Sequence, residues 1–100
     1  MNWIFPKIKT PNDVPQQVKK IGAEIAELNE VFESYRKLKG AGLAADADLQ
    51  DAISRSDEEA VDVLHAAETM IRIKFAGREK ELDEIVAAVI EKNKKRDYYE

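Results

Sequence analysis

The sequence contains no cysteine, which removes disulfides, thiolate catalysis and every zinc site built on sulfur. Its single histidine, His65, is too little for a polyhistidine metal centre. Long apolar runs are also missing. No stretch approaches the ~18 residues that would cross a bilayer. The N-terminal MNWIFPKIKTP has no basic segment leading into a long apolar one. The chain therefore reads as soluble and cytoplasmic, with no membrane partner. Nor is there an excess of basic charge, since 20 acids against 16 bases leave a net charge of -4. That balance gives no electrostatic footprint for a nucleic acid polymer, so any phosphate must be met locally.

What is present is a chain of 100 residues, 44% hydrophobic, enough for one domain with a modest core. Residues 1–12 carry Trp3, Phe5, Pro6 and Pro11 and read as an extended arm that packs through its aromatics. A single helical domain over 13–100 follows. Its first helix is expected from about Asp13–Pro15 to Lys39, ahead of Gly40 and Gly42, with a stripe of Ile21, Ile25, Leu28, Phe32 and Tyr35. Residues 40–55 form a connection with room for a short helix over about Asp46–Ile53. A second long helix is expected from about Ser56 to Ala76, stopped by Gly77, and a third from about Arg78 to Lys95. The third carries Leu82, Ile85, Val86, Val89 and Ile90 on one side. No segment alternates with the period of a strand, so the class is all-α. Helix 2 is apolar around most of its circumference, and one chain cannot hide all three stripes. A homodimer or homotetramer completing a four-helix-bundle-like core is the expected remedy.

Spacing residues about 100° apart around each helix locates the acids. Glu24 and Glu27 fall beside the apolar stripe, near Val31 and Leu38, whereas Glu30 and Glu33 share the far side with Lys19 and Lys37. On helix 2, Glu58, His65, Glu68 and Arg72 form a polar strip that reads as ordinary surface. Glu59 and Asp62 instead share the sector of Val63, Ala66, Met70 and Ile73. Each pair is spaced i, i+3 and so adjacent on its helix. Antiparallel packing would bring the four carboxylates together, and an all-oxygen cluster suits Mg²⁺ or Mn²⁺ completed by substrate phosphates. The plainer account makes both pairs solvated faces, with Ser56 and Glu59 a capping box.

In the C-terminal stretch, Lys94 and Lys95 fit a basic helix end. Asn93 and Arg96 prolong the stripe of Leu82, Val86 and Val89, with Lys92 beside it, where they would suit phosphate oxygens or the acids. Trp3 reads as a packing anchor.

The segments EIAEL at 24–28, EAVDVL at 59–64 and KNKKRDYY at 92–99 together resemble the MazG-like nucleotide pyrophosphohydrolases of the all-α NTP pyrophosphatase group, over roughly residues 15–99. The resemblance implies metal-binding and catalytic roles for Glu24 and Glu27 on the family's ExxE, and for Glu59 and Asp62 on its ExxD. It implies substrate contacts for Lys92, Asn93 and Arg96 on KNxxRGxY, with Asp97 standing where glycine is frequent. The implied activity is Mg²⁺-dependent hydrolysis of a nucleoside triphosphate between the α and β phosphates, giving a monophosphate and pyrophosphate. The alternatives are a non-catalytic oligomeric helical module whose acids bind a basic partner, and a relative that binds nucleotide without turning it over.

Overall fold

The computed structural model describes residues 1–42 and 46–100. It is all-α, with helices α1 (Val14–Ala41), α2 (Asp46–Lys74) and α3 (Glu79–Lys95) and no strand among the described residues. Asp13 caps α1 through a reciprocal box in which its carboxylate accepts from the Gln16 amide while the Gln16 side chain accepts from the Asp13 amide. Pro15 sits in the first turn, where its missing N–H has no helical partner to lose. Gly42 ends the helix at φ 65, a left-handed conformation that glycine adopts without a Cβ penalty.

The short helix expected over 46–53 and the long one expected from Ser56 are a single element. No proline or glycine interrupts residues 46–74, and the Ser56 hydroxyl donates to the Ile53 carbonyl at 2.7 Å within the running helix. Ser56 is therefore no cap, and the capping-box account of Glu59 falls with it. Residues 43–45 of the expected connection lie outside the described residues.

α1 and α2 pack antiparallel, as Gln17 meets Ala66 at one level and Glu24 and Glu27 meet Glu59 at another. On α1 the positions turned from solvent are Gln17, Ile21, Glu24, Leu28, Val31, Tyr35 and Leu38. On α2 a matching series runs Leu49, Ala52, Ser56, Glu59, Val63, Ala66, Met70 and Ile73, and near its end His65, Ala67, Glu68, Thr69, Ile71 and Arg72 are turned from solvent as well. Both series step alternately by three and four residues, the spacing of a coiled-coil seam. This seam is turned slightly from the expected stripe. Ile25 and Phe32 are left 43% and 49% exposed, while Glu24 moves into the interface.

Gly77, at φ 74, breaks α2 from α3. Leu82, in the first turns of α3, is buried. Beyond it the helix leaves the hairpin, and among the described residues no Cα of α3 comes within 8 Å of one in α1 or α2. Ile85, Val89 and Ile90 consequently stay exposed. No described helix is long and apolar enough to cross a membrane.

Candidate functional site

The α1–α2 seam treats the amide of Gln17 and the carboxylates of Glu24 and Glu59 differently. Gln17 is 2% exposed, yet both ends of its amide are satisfied. Its Nε2 donates to the Ala66 carbonyl at 2.9 Å and its Oε1 accepts from Asn12 Nδ2 at 3.1 Å. At the Glu24 and Glu59 levels nothing comparable happens. Each has a carboxylate oxygen that is buried and without any hydrogen-bond partner in the chain. A buried acceptor left unpaired is costly, because it gave up its water and received nothing in exchange.

Glu27, one turn along α1 from Glu24 and exposed to solvent, brings a third carboxylate, so that oxygens of Glu24, Glu27 and Glu59 all lie within 4.8 Å of one another. Burial, then repulsion from Glu27 and Asp62, hold the Glu24 carboxyl above its ordinary value despite Lys20 nearby, and a hydrogen bond to Glu27 adds to this once Glu24 is protonated. The Glu59 carboxyl is raised by burial, then by repulsion from Glu27 and the hydrogen bond its protonated form makes to Glu27, and further by Asp62 and Glu24. Asp62 is exposed at the edge of the cluster, on the wall of a small pocket that it shares with Glu24.

This donor set fits a hard divalent cation. Around a Mg²⁺ adjacent oxygens stand about 2.9 Å apart, so carboxylates within 4.8 Å of one another would have to draw together to share one ion. The two unpartnered oxygens would gain the positive partner that the chain itself withholds.

Of the residues singled out in the sequence, Glu24, Glu27 and Glu59 are brought together and Asp62 stands beside them. Lys92, Asn93 and Arg96 are not. They lie at the far end of α3, where Asn93 Nδ2 donates to the Tyr99 hydroxyl at 3.3 Å and the Arg96 guanidinium stands 6.0 Å from the Tyr98 ring centre. Asp97 takes φ 58, the left-handed conformation glycine would adopt there, and Asp is among the few residues that tolerate it. The amides of Asp97 and Tyr98 donate to the carbonyls of Lys94 and Asn93, both at 3.0 Å, closing the helix in spite of the missing glycine.

Of the strip read as ordinary surface on α2, Glu58 is exposed, whereas His65, Glu68 and Arg72 form the seat of the N-terminal arm. Glu68 is 5% exposed and accepts from the Ile4 and Phe5 amides at 2.8–3.1 Å. Burial works against its charge, but the Phe5 and Ile4 amides, Arg72 and His65 outweigh it, and the carboxyl lies below its ordinary value. Arg72 donates to the Phe5 carbonyl at 2.6 Å and its guanidinium stands 4.6 Å from the Trp3 ring centre. Phe5 stacks on His65 with centroids 4.4 Å apart. Two aromatics in the arm signal that it needs a landing face. Nothing in the sequence alone says that the face is polar.

A larger cavity of about 440 Å³ lies on the other side of the arm, between Trp3, Ile8, Ile73, Phe75 and Leu82. Its lining is mostly apolar, with Lys7, Arg72 and Glu79 among it, and it holds none of the clustered acids. Comparisons with protein-family models, with curated proteins and with solved structures each returned no match.

Proposed function

We propose that this chain is a Mg²⁺-dependent nucleoside triphosphate pyrophosphohydrolase, also served by Mn²⁺, that cleaves between the α and β phosphates to release a nucleoside monophosphate and pyrophosphate. The observation that carries this reading is the pair of seam positions held by Glu24 and Glu59, each leaving a buried oxygen unpartnered beside Glu27. The resemblance of EIAEL, EAVDVL and KNKKRDYY to the MazG-like enzymes supports the same residues.

Bound at these carboxylates, the divalent cation would supply neutralisation of phosphate charge and a lowered pKa for water. Glu24, Glu27 and Glu59, whose oxygens lie together, would hold it. Asp62 adds a carboxylate at the rim. Glu27, the solvent-facing member of the cluster, orients the attacking water and accepts its proton at the carboxylate. Water then splits the anhydride and pyrophosphate leaves.

The exposed apolar residues of α3, with Ile25 and Phe32 of α1, support a homodimer or homotetramer. Lys92, Asn93 and Arg96 reach the phosphates only from the α3 of a second copy, since their own α3 stands clear of the hairpin. Pyrophosphate release from a panel of ribo- and deoxyribonucleoside triphosphates with Mg²⁺ tests the reading. Release from at least one of them, abolished by chelation, is expected. No release from any, with Mn²⁺ still bound, would leave a non-catalytic binding module.

A further inference from the structure

α3 carries a symmetry that its own chain does not use. Its centre, IVAAVI at 85–90, reads the same in both directions. On either side stand flanks of opposite sign. Residues 79–84 hold four acids and one lysine, whereas 91–96 hold four bases and one glutamate. Acids at the start of a helix and bases at its end answer the macrodipole. The dipole does not ask for an apolar centre left open to water. Ile85, Val89 and Ile90 are exposed, Val86 shares their side of the helix, and among the described residues no Cα of α1 or α2 comes within 8 Å of one in α3.

Such a face is complementary to itself once it is turned end for end. Two copies of α3 laid antiparallel about a two-fold axis between Ala87 and Ala88 set Ile85, Val86, Val89 and Ile90 of one against the same residues of the other. Each acidic flank then meets a basic one. On one side of the contact Glu81 falls between Lys92 and Arg96 of the second copy, and on the other Asp83 falls near its Lys94. A parallel pair would set acid on acid and base on base. We infer that α3 is the self-association surface of this protein and pairs antiparallel with the α3 of a second copy. The inference rests on the oligomer of the reading above and not on its chemistry. It also carries Lys92, Asn93 and Arg96 of each copy back to the corner where the other's α3 leaves its hairpin, which a parallel pair would not do.

Sedimentation equilibrium of the full chain should return a dimer, or a multiple of one, at micromolar concentration, and Val89→Asp a monomer. Glu81→Lys and Lys92→Glu should each weaken association about tenfold, and the double variant should restore it, which a loss of folding would not allow. Orientation is read from spin labels, since the chain has no cysteine and Ala87→Cys or Lys80→Cys each offers a single site. Antiparallel copies hold the two labels at position 87 nearly level and those at position 80 about 20 Å apart along the helix axis, at ~1.5 Å per residue. The distance between labels should therefore be longer at 80 than at 87. Equal distances at the two positions would overturn the inference, as would a monomeric wild type or a double variant no tighter than the single ones. An antiparallel pair that hydrolyses no nucleotide would uphold the surface and sink the catalytic reading. Turnover by a monomer would do the reverse.

Discussion

Glu59 and Glu68 belong to the same helix and both carry buried carboxylate oxygens, but the fold supplies partners to one and withholds them from the other. Glu68 receives the Ile4 and Phe5 amides and the field of Arg72, and its carboxyl is pulled below the ordinary range. Glu59 faces Glu24 and Glu27 across the seam, keeps an oxygen unpaired, and is pushed above it. A carboxylate that serves the fold is given donors by the chain. One left among other carboxylates, at a position where leucine would pack, costs stability unless something outside the chain supplies the positive charge.

Substitutions at Glu59 and Glu68 should have the largest and most opposite effects. Glu59→Gln should lower kcat by roughly 10²–10³-fold, because charge compensation in the transition state is lost, and should leave the metal-free melting temperature unchanged or higher. Glu68→Ala should do the opposite. It frees the arm and should lower Tm by on the order of 10 °C, while turnover below the new Tm survives with a raised KM. Steady-state kinetics and calorimetry on both variants check the pair. Equal Tm losses would mean that both carboxylates are structural.

Acidity should separate the two regions more gently. Glu24 and Glu59 bind protons more readily folded than unfolded, so the metal-free protein should gain stability as pH falls from neutral through their raised values, the gain being complete below the ordinary 4.5. Glu68 is lowered, so its contribution is present in full above 4.5 and is lost as pH falls through its folded value. The metal-free Tm should therefore rise on mild acidification and fall on stronger acidification. Glu59→Gln should flatten the upper part of that curve and Glu68→Gln the lower. A steady decline from pH 7 downward would contradict the unpaired state of the seam acids.

Much of the hairpin was legible from residue type. Asp13, Pro15, Gly42 and Gly77 mark helix ends through capping and backbone preference, and those are local properties. The continuity of α2 was harder to read, because Ser56 looks like a helix start until one sees its hydroxyl bonded back to Ile53. The i, i+3 spacing of Glu24 with Glu27 placed that pair beside the apolar stripe, and the antiparallel seam brought both to Glu59. Asp62 was expected further inward than it lies, since a small rotation of the seam decides which side of α2 faces α1. The clamp on Glu68 was illegible, because its partners are backbone amides of Ile4 and Phe5, which no side-chain pattern reveals. For α3, an apolar stripe says that a face wants cover. It does not say which of the three stripes goes uncovered, and among the described residues α1 and α2 cover each other and leave α3 apart.

The seam at Glu24 and Glu59 brings carboxylates together and supplies no positive partner to their buried oxygens. The direct measurement is the melting temperature of the wild-type chain and of Glu59→Leu, each with Mg²⁺ and with Na⁺ at matched ionic strength. Without divalent metal, Glu59→Leu should melt several degrees above the wild type, because an apolar side chain replaces an unpaired carboxylate in the seam. Mg²⁺ should raise the wild-type Tm and leave Glu59→Leu where it was, while Na⁺ moves neither. A wild-type Tm indifferent to Mg²⁺, or a Glu59→Leu variant that melts lower and still responds to the metal, would contradict the account.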